Sequence, residues 1–170
     1  MRRIGVLSDT HGIIPKQVYS FFNDCDELWH AGDLGRGVYE RLSTSKPLHA
    51  VYGNIDDHSL RYSVPASDLF TCEGLKILLT HIGGWPGHYS PAILNILRHD
   101  HPDIFVCGHS HILKVMYDHE LNLLHINPGA AGRQGFHKVG TLVRFTIDGT
   151  PKDLEIMEFD KLNIEDCKPL

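Results

Sequence analysis

A carboxylate and an imidazole two residues apart follow the first apolar segment of the chain. Asp9 and His11 follow residues 4–7 after a single serine, and Gly12 comes next. Side chains at positions i and i+2 of an extended chain point the same way. A carboxylate oxygen and an imidazole nitrogen that converge on one point are ligands for a divalent metal ion. This segment therefore predicts half of a metal site.

Further oxygen and nitrogen ligands follow later apolar segments, and most of them neighbour a glycine. Each residue alone is more often a turn, cap or surface group, whereas the conjunction predicts a metal centre. Glycine would let the backbone turn sharply and approach a bound group closely. The set consists of Asp33, Asn54, His81, His109 and His111. Other histidines lack this setting and are expected to be surface or structural residues: His49, His99, His101 and His119.

The apolar pattern also supplies the elements that must position these ligands. Residues 4–7, 27–31 and 48–52 are short apolar segments typical of buried strands. Two helices are predicted between them, one beginning at Pro15 and one containing Val38. Alternating strands and helices indicate an α/β sheet, whose sites lie at the carboxyl ends of the strands.

The second half of the chain predicts a hairpin, a helix and further strands. A turn at Glu73-Gly74 separates residues 68–72 from residues 75–79, and Ser90-Pro91 is expected to cap a helix. One domain is expected over residues 1–170, with a loosely held polar tail after about residue 160. Asn127-Pro128-Gly129 is expected to break two of the later strands, which are predicted at residues 103–107, 115–117, 123–126, 141–147 and 153–159.

Composition narrows the class of protein. The chain has 170 residues, 42% hydrophobic and 22% charged, as in a soluble globular protein. A net charge of −5 argues against a general nucleic-acid-binding surface, which would be basic. We expect no membrane span and no signal peptide, since the apolar segments are too short. The four cysteines form no CxxC pair and predict reduced, buried thiols in a cytoplasmic protein: Cys25, Cys72, Cys107 and Cys167.

The ligand blocks together resemble those of a known family. The resemblance covers about residues 3–147 and is to the calcineurin-like metallophosphoesterases, in particular the small YfcE-like phosphodiesterases, which also share Asn127-Pro128-Gly129. It implies a four-layer α/β/β/α sandwich of two mixed sheets with a dimetal site at the strand ends. The blocks that carry it are Asp9-x-His11, Gly32-Asp33, Gly53-Asn54-x-Asp56, Thr80-His81 and Gly108-His109-x-His111.

The resemblance also implies a division of the ligands between two divalent ions, with Asp33 shared by both. Nitrogen and oxygen ligands without sulfur favour Mn first, and also Ni, Fe, Co or Zn, over Mg or Ca alone. A hydroxide bridging the ions would attack phosphorus in line, so no protein nucleophile is needed. One ion would be held by Asp9, His11, Asp33 and His111, and the other by Asp33, Asn54, His81 and His109. Catalytic roles are expected for Asp33, Asn54 and Asp56, and substrate contacts for Asn54, His81 and Arg133.

The third block departs from the pattern of many relatives. Those relatives carry a histidine after the asparagine, where it can protonate the leaving oxygen, and this chain has Ile55. Small YfcE-like members also often lack that histidine, so the departure does not by itself indicate an inactive protein. His58 is a candidate substitute, although a solvent-exposed loop histidine is the alternative interpretation.

The sequence thus predicts a metal-dependent phosphodiesterase that acts on a small phosphate ester, and two alternatives stay open. One alternative is a non-catalytic interaction module. The retromer scaffold subunit is similar in its small fold, but its own metal site is degraded. The intact set of ligands speaks against it. A phosphomonoesterase or nuclease is the other, although a nuclease is expected to show a basic groove or extra domains. Homo-oligomer formation is left open.

Overall fold

The computed structural model describes residues 1–167 and arranges them in two five-stranded sheets with four α-helices. The helices are α1 (Lys16–Phe21), α2 (Val38–Ser45), α3 (His58–Ser63) and α4 (Pro91–Asp100). The strands of the first sheet are β1 (Arg2–Leu7), β2 (Glu27–His30), β3 (Leu48–Ala50), β9 (Val139–Ile147) and β10 (Pro151–Asp160). Those of the second are β4 (Ser67–Cys72), β5 (Leu75–Thr80), β6 (Ile104–Val106), β7 (Leu113–Asp118) and β8 (Leu123–Pro128).

Both sheets are mixed, and their parallel strands place several strand ends at one edge. The first sheet has the order β10-β9-β1-β2-β3, in which β1, β2 and β3 are parallel. The second has the order β4-β5-β6-β8-β7, in which β5, β6 and β8 are parallel. The carboxyl ends of parallel strands share an edge, which is where sites form in such sheets. This matches the placement that the sequence predicted.

Apolar side chains bury the two sheets against each other and against the helices. Alternate residues of a strand face opposite sides, so Val6 of β1 packs between the sheets while Leu7 faces outward. Val18 of α1 and Leu42 of α2 cover that outer face of the first sheet, and Leu97 of α4 belongs to the cluster on the second. The predicted four-layer α/β/β/α sandwich is confirmed.

Several boundaries differ from the sequence prediction for local reasons. Helix α3 was not predicted because it has no buried residue; Asp57 begins it by accepting a hydrogen bond from the Leu60 amide at 3.1 Å. Strand β8 runs through Pro128, where a break was expected. The proline has no amide to donate, but its carbonyl accepts the Thr141 hydroxyl at 2.5 Å.

Residues 161–167, which were expected to be loosely held, pack against the first sheet. A 3-10 helix, Lys161–Asn163, is followed by Ile164, which is buried in the cluster that contains α1 and α2. Asp166 accepts a hydrogen bond from the Ile14 amide at 2.9 Å and pairs with Arg41 at 3.0 Å. The composition of this segment concealed these contacts, because of its two aliphatic residues Ile164 is buried whereas Leu162 is exposed.

Two compositional features have direct structural counterparts. Cys25, Cys72 and Cys107 are buried, Cys167 is half-buried, and all four are free thiols. Among residues 1–167, every helix is too short or too polar to span a bilayer.

His125 on β8 predicts that stability falls in acid. Its ring is fully buried, neither ring nitrogen has a hydrogen-bond partner among residues 1–167, and burial lowers its pKa from 6.5 to about 4. His125 of the unfolded chain takes up a proton near pH 6.5, whereas the buried ring of the folded chain stays neutral until the pH approaches 4. The stability that depends on the neutral ring is therefore complete above pH 6.5 and is lost as the pH falls towards 4.

When the pH is lowered from about 7.5 to about 5, His125 should reduce the unfolding free energy of the wild type by about 2 kcal/mol. We expect His125→Leu to be free of this reduction. Urea unfolding at both pH values measures it. His99→Leu, at an exposed position on α4, is the control and should keep the wild-type pH dependence. Equal pH dependence in the wild type and His125→Leu would contradict the assignment.

Candidate metal centre

The predicted ligands sit in sharp turns after the parallel strands. Asp9, His11, Asp33, His109 and His111 all have positive φ angles, between 48° and 68°. Residues other than glycine rarely adopt this conformation, which costs about 1–2 kcal/mol per residue. Asp9 and His11 therefore converge through left-handed turns, and not through the extended geometry that their spacing predicted. Backbone strain of this kind gathers at functional sites.

Asp9, His11 and His111 form the first group of ligands. Asp9 Oδ1 lies 3.2 Å from His111 Nε2 and 4.0 Å from His11 Nε2. The other oxygen of this buried carboxylate, Oδ2, accepts a hydrogen bond from the His109 amide at 3.2 Å. One ligand atom from each of the three side chains lies within 4.8 Å of the others, so a single ion can contact all three.

Asp9, Asp33 and His81 form a second group that meets the same distance criterion. Asp33 Oδ1 lies 3.3 Å from His81 Nε2, and Asp33 Oδ2 lies 3.9 Å from His11 Nε2. Asn54 Oδ1 lies 3.0 Å from the same nitrogen of His81. Asp33 thus directs its two oxygens at histidines on either side, as a bridging ligand would. Asp9 also lies within reach of both groups, which the sequence did not indicate.

His109 is the ligand candidate that the structure places least directly. Its ring packs edge-on against that of His81, with 5.2 Å between the ring centroids. The residue is exposed at the rim of the site. Among residues 1–167 it belongs to neither group of three, so its predicted role as a ligand stays a prediction.

Burial and charge shift the pKa values of the ligands. Burial lowers the pKa of His11 although Asp33 and Asp9 oppose this. Burial also disfavours protonation of His81, but hydrogen bonds to Asp33 and to the Ala31 carbonyl outweigh it and raise the pKa. Burial would raise the pKa of Asp33, yet hydrogen bonds from His81 and the Ile55 amide lower it overall. A neutral His11 and an ionised Asp33 are the forms that bind metal.

Unpaired buried atoms show that the residues fit divalent cations. Asp9 Oδ1 and His11 Nε2 are buried without a hydrogen-bond partner among residues 1–167, which is costly for such groups. The Nδ1 of His81 lies 2.7 Å from the Ala31 carbonyl and must donate to it, so Nε2 is directed at the other ligands. Carbonyl–histidine–metal arrangements of this kind orient metal ligands in many proteins.

Comparison with known proteins identifies the family. Residues 1–150 match the family model described as the calcineurin-like phosphoesterase superfamily domain. The chain belongs to the calcineurin-like phosphoesterase superfamily. This confirms the family that the ligand blocks indicated, and the superfamily is metal-dependent.

Three relatives illustrate the match. The chain is 31% identical over 160 residues to the "Probable metallophosphoesterase" of Methanothermobacter thermautotrophicus, covering 91% of each protein. It superimposes on a novel archaeal phosphodiesterase with a TM-score of 0.74 and 20% identity, covering 92% of this chain and 99% of the other. It superimposes on Vps29 from Entamoeba histolytica complexed with Zn²⁺ with a TM-score of 0.70 and 20% identity, covering 94% and 99%. At these identities the two structures show the fold alone.

The carboxylate of Asp56, a residue that the family resemblance suggested as catalytic, is hydrogen-bonded to backbone amides. This buried carboxylate accepts hydrogen bonds from the amides of Gly53 at 2.8 Å, Leu34 at 3.1 Å and Gly35 at 2.8 Å. It therefore ties the turn after β2 to the turn after β3, and these turns carry Asp33 and Asn54. These contacts give Asp56 a positioning role, and its predicted catalytic role stays a prediction.

Two further buried groups hold ligand turns and were missed from the sequence as site residues. Asn127 Nδ2 donates to the Gly108 carbonyl at 2.9 Å and to the Ser110 hydroxyl at 3.1 Å, which fixes the His109–His111 turn. The Asn-Pro-Gly segment was the available signal. His30 bonds to Thr10 at 2.9 Å and accepts the Gly32 amide at 3.2 Å, and burial lowers its pKa to about 3, so it is neutral.

The remaining candidates belong to neither of the two groups found among residues 1–167. Arg133 donates to the carbonyl of Ile164, so its guanidinium faces the C-terminal segment. Its predicted contact with substrate therefore has no support from its hydrogen bonding. Ile55 is 48% exposed, and its amide donates to Asp33 Oδ1 at 3.0 Å. His58 is exposed at the start of α3.

Proposed function

We propose that this chain is a metal-dependent phosphodiesterase with two divalent ions, of which Mn is the first candidate. The observation that carries the proposal is the pair of ligand groups that share Asp9, with Asp33 Oδ2 of the second group 3.9 Å from His11 Nε2 of the first. Asp9 Oδ1 and His11 Nε2 are buried and have no hydrogen-bond partner among residues 1–167. Two divalent ions opposite two carboxylates leave a net positive charge, which attracts a phosphate ester. The set of nitrogen and oxygen ligands without sulfur suits Mn, Fe, Co, Ni or Zn.

Some residues of the site would bind the metal ions, and others would bind the substrate. When bound, the ions supply Lewis-acid stabilisation of the phosphoryl charge and an activated water. Asn54 and His81 also line a cavity of about 320 Å³ beside the centre, together with Tyr52 and Ile82. We place the ester substituents of the substrate in this cavity. Asp56 and Asn127 keep the ligand turns in register while substrate binds.

Hydrolysis of an activated aryl phosphodiester tests the proposal. Protein stripped by a chelator and reloaded with Mn²⁺ should hydrolyse bis(4-nitrophenyl) phosphate, and His109→Ala should lose most of this activity. His99→Ala, which removes an exposed histidine that contacts Asp100, is the matched control and should be fully active. Absence of hydrolysis with every one of Mn, Fe, Co, Ni and Zn would favour the non-catalytic interaction module.

Ile55 predicts a strong dependence on the leaving group. General acid catalysis is worth about 10²–10⁴-fold, and isoleucine cannot supply a proton. We expect the wild type to prefer diesters with acidic leaving groups and Ile55→His to raise turnover of poor leaving groups. The side chain at this position is half-exposed, so a histidine fits. The hydrogen bond from the backbone amide of residue 55 to Asp33 is unaffected by the change.

Rates for a series of aryl phosphodiesters that span several leaving-group pKa units measure this effect. Ile112→His is the matched control, since Ile112 follows the ligand His111 and is 49% exposed. Ile55→His should flatten the dependence of rate on leaving-group pKa, and the control should not. Equal slopes for the wild type and Ile55→His would show that another group already donates the proton.

A further inference from the structure

Arg61 lies beside the candidate metal centre and has no carboxylate partner within residues 1–167. Among residues 1–167, five of the eight arginines form ion pairs with carboxylates: Arg2, Arg3, Arg41, Arg98 and Arg144. Arg36, Arg61 and Arg133 form none in that range. Of these three, only Arg61 lines the same cavity as the ligand candidates Asn54 and His81.

Within the described part of the chain, no acidic side chain lines the cavity and competes with a ligand for Arg61. Its lining residues within the described part of the chain include Tyr52, Ala66 and Ile82 but no aspartate or glutamate. A guanidinium is always charged at physiological pH and binds carboxylates and phosphates in a bidentate manner. An anionic group entering this cavity would therefore meet Arg61 without displacing an acidic side chain.

The Arg61 guanidinium is held in place before any ligand binds. Its Nε donates to the Asp56 carbonyl at 2.9 Å, and its Nη2 donates to the Asn54 carbonyl at 3.3 Å. Its Cζ also lies 4.9 Å from the ring centroid of Tyr52, a cation–π contact. These contacts use only part of the N–H donors of the guanidinium, so the others remain for a ligand. A side chain fixed in this way loses little entropy on binding.

The guanidinium is also tied to the metal centre through a single residue. The carbonyl of Asn54 accepts from Arg61, and the side-chain Oδ1 of Asn54 lies 3.0 Å from His81 Nε2. A substituent on a phosphorus bound at the metal centre could therefore enter the cavity and reach Arg61.

We propose that Arg61 forms an anion subsite that selects phosphate esters carrying a second anionic group, a carboxylate or phosphate, on the substituent beside the scissile phosphorus. This inference rests on the proposed phosphodiesterase function and names its substrate class. Arg61 takes the role of the substrate-binding arginine that the sequence assigned to Arg133. The uncharged remainder of the cavity, with Tyr52 and Ile82, accommodates the organic part of that substituent.

Matched pairs of compounds that differ by one carboxylate test the subsite. Phenylphosphonate and 3-phosphonobenzoate are titrated into Mn²⁺-loaded protein by calorimetry. The hydrolysis rates of phenyl 4-nitrophenyl phosphate and its 3-carboxyphenyl analogue are compared in parallel, with the same leaving group. We expect the wild type to favour the carboxylated member of each pair about ten-fold. Arg61→Met should abolish the preference, and Arg61→Lys should retain part of it.

The preference separates a binding role from a structural one. Loss of the carbonyl contacts in Arg61→Met would weaken both members of a pair equally, whereas loss of a subsite weakens only the carboxylated member. Arg36→Met, at an exposed arginine that lines a neighbouring cavity with Ile55 and forms no ion pair in the described part of the chain, should keep the wild-type preference.

Binding and hydrolysis without a preference in the wild type, or a preference that survives Arg61→Met, would overturn the Arg61 subsite and leave the phosphodiesterase intact. Failure of both phosphonates to bind and of both esters to react would overturn the two proposals together.

Discussion

Asp33→Asn should lower phosphodiester hydrolysis about 100-fold or more and remove at least one metal ion, because it neutralises the carboxylate that faces both His11 and His81. Asp33 is buried, with an exposed fraction of only 2%. The fold should nevertheless survive, since the amide of asparagine keeps an oxygen that can accept the Ile55 amide.

Calorimetric titration with Mn²⁺ and steady-state rates together measure the effect of Asp33→Asn. Asp148→Asn is the matched control, since it makes the same charge change at an exposed carboxylate paired with Lys152. It lies just after β9, whose Ile147 pairs with Arg2 at the amino end of β1, opposite the site. Asp33→Asn protein that binds two ions with wild-type affinity would refute the shared role of Asp33.

Gly53→Ala should damage the centre almost as severely without changing any charge. A Cβ atom at this position would clash with Asp33 Oδ1 and with the Asp33 amide nitrogen. Asp33 or the turn after β3 must shift, and overpacking of this kind costs about 1–3 kcal/mol of unfolding free energy. We expect weaker Mn²⁺ binding and loss of most of the hydrolysis.

Gly74→Ala provides the contrast for Gly53→Ala. Gly74 has a φ of +84° and open space around it, so alanine introduces only backbone strain of about 1–2 kcal/mol. Urea unfolding should therefore show losses of similar size in the two variants, whereas Mn²⁺ affinity should fall only in Gly53→Ala. Unchanged Mn²⁺ affinity in Gly53→Ala would mean that the position of Asp33 does not control metal binding.

The sequence predicted the features that depend on order along the chain. Apolar segments that end in Asp9 and Asp33 marked the strand ends, and the parallel sheets bring those ends together at one edge. Helix α3 escaped prediction because it buries no residue and is held by the Asp57 cap and by Arg61. A helix without an apolar face leaves no periodic signal.

Roles that depend on which atom a side chain contacts could not be predicted in the same way. Asp56 stands in a ligand block, yet three backbone amides occupy its carboxylate. Arg133 follows a site segment in sequence but reaches the Ile164 carbonyl, while Arg61 enters the ligand cavity from a helix. Neighbours in sequence indicate proximity of the backbone, whereas hydrogen-bond partners are decided by tertiary packing.

The most direct test of the two-ion site is the number of manganese ions bound per chain. Chelator-stripped wild-type protein is equilibrated with Mn²⁺ by dialysis, and bound metal is counted by inductively coupled plasma mass spectrometry. The ligand groups around Asp9 and Asp33 predict two ions per chain, with hydrolysis of bis(4-nitrophenyl) phosphate rising as they fill. A single bound ion at saturation, or none, would contradict the two-ion phosphodiesterase.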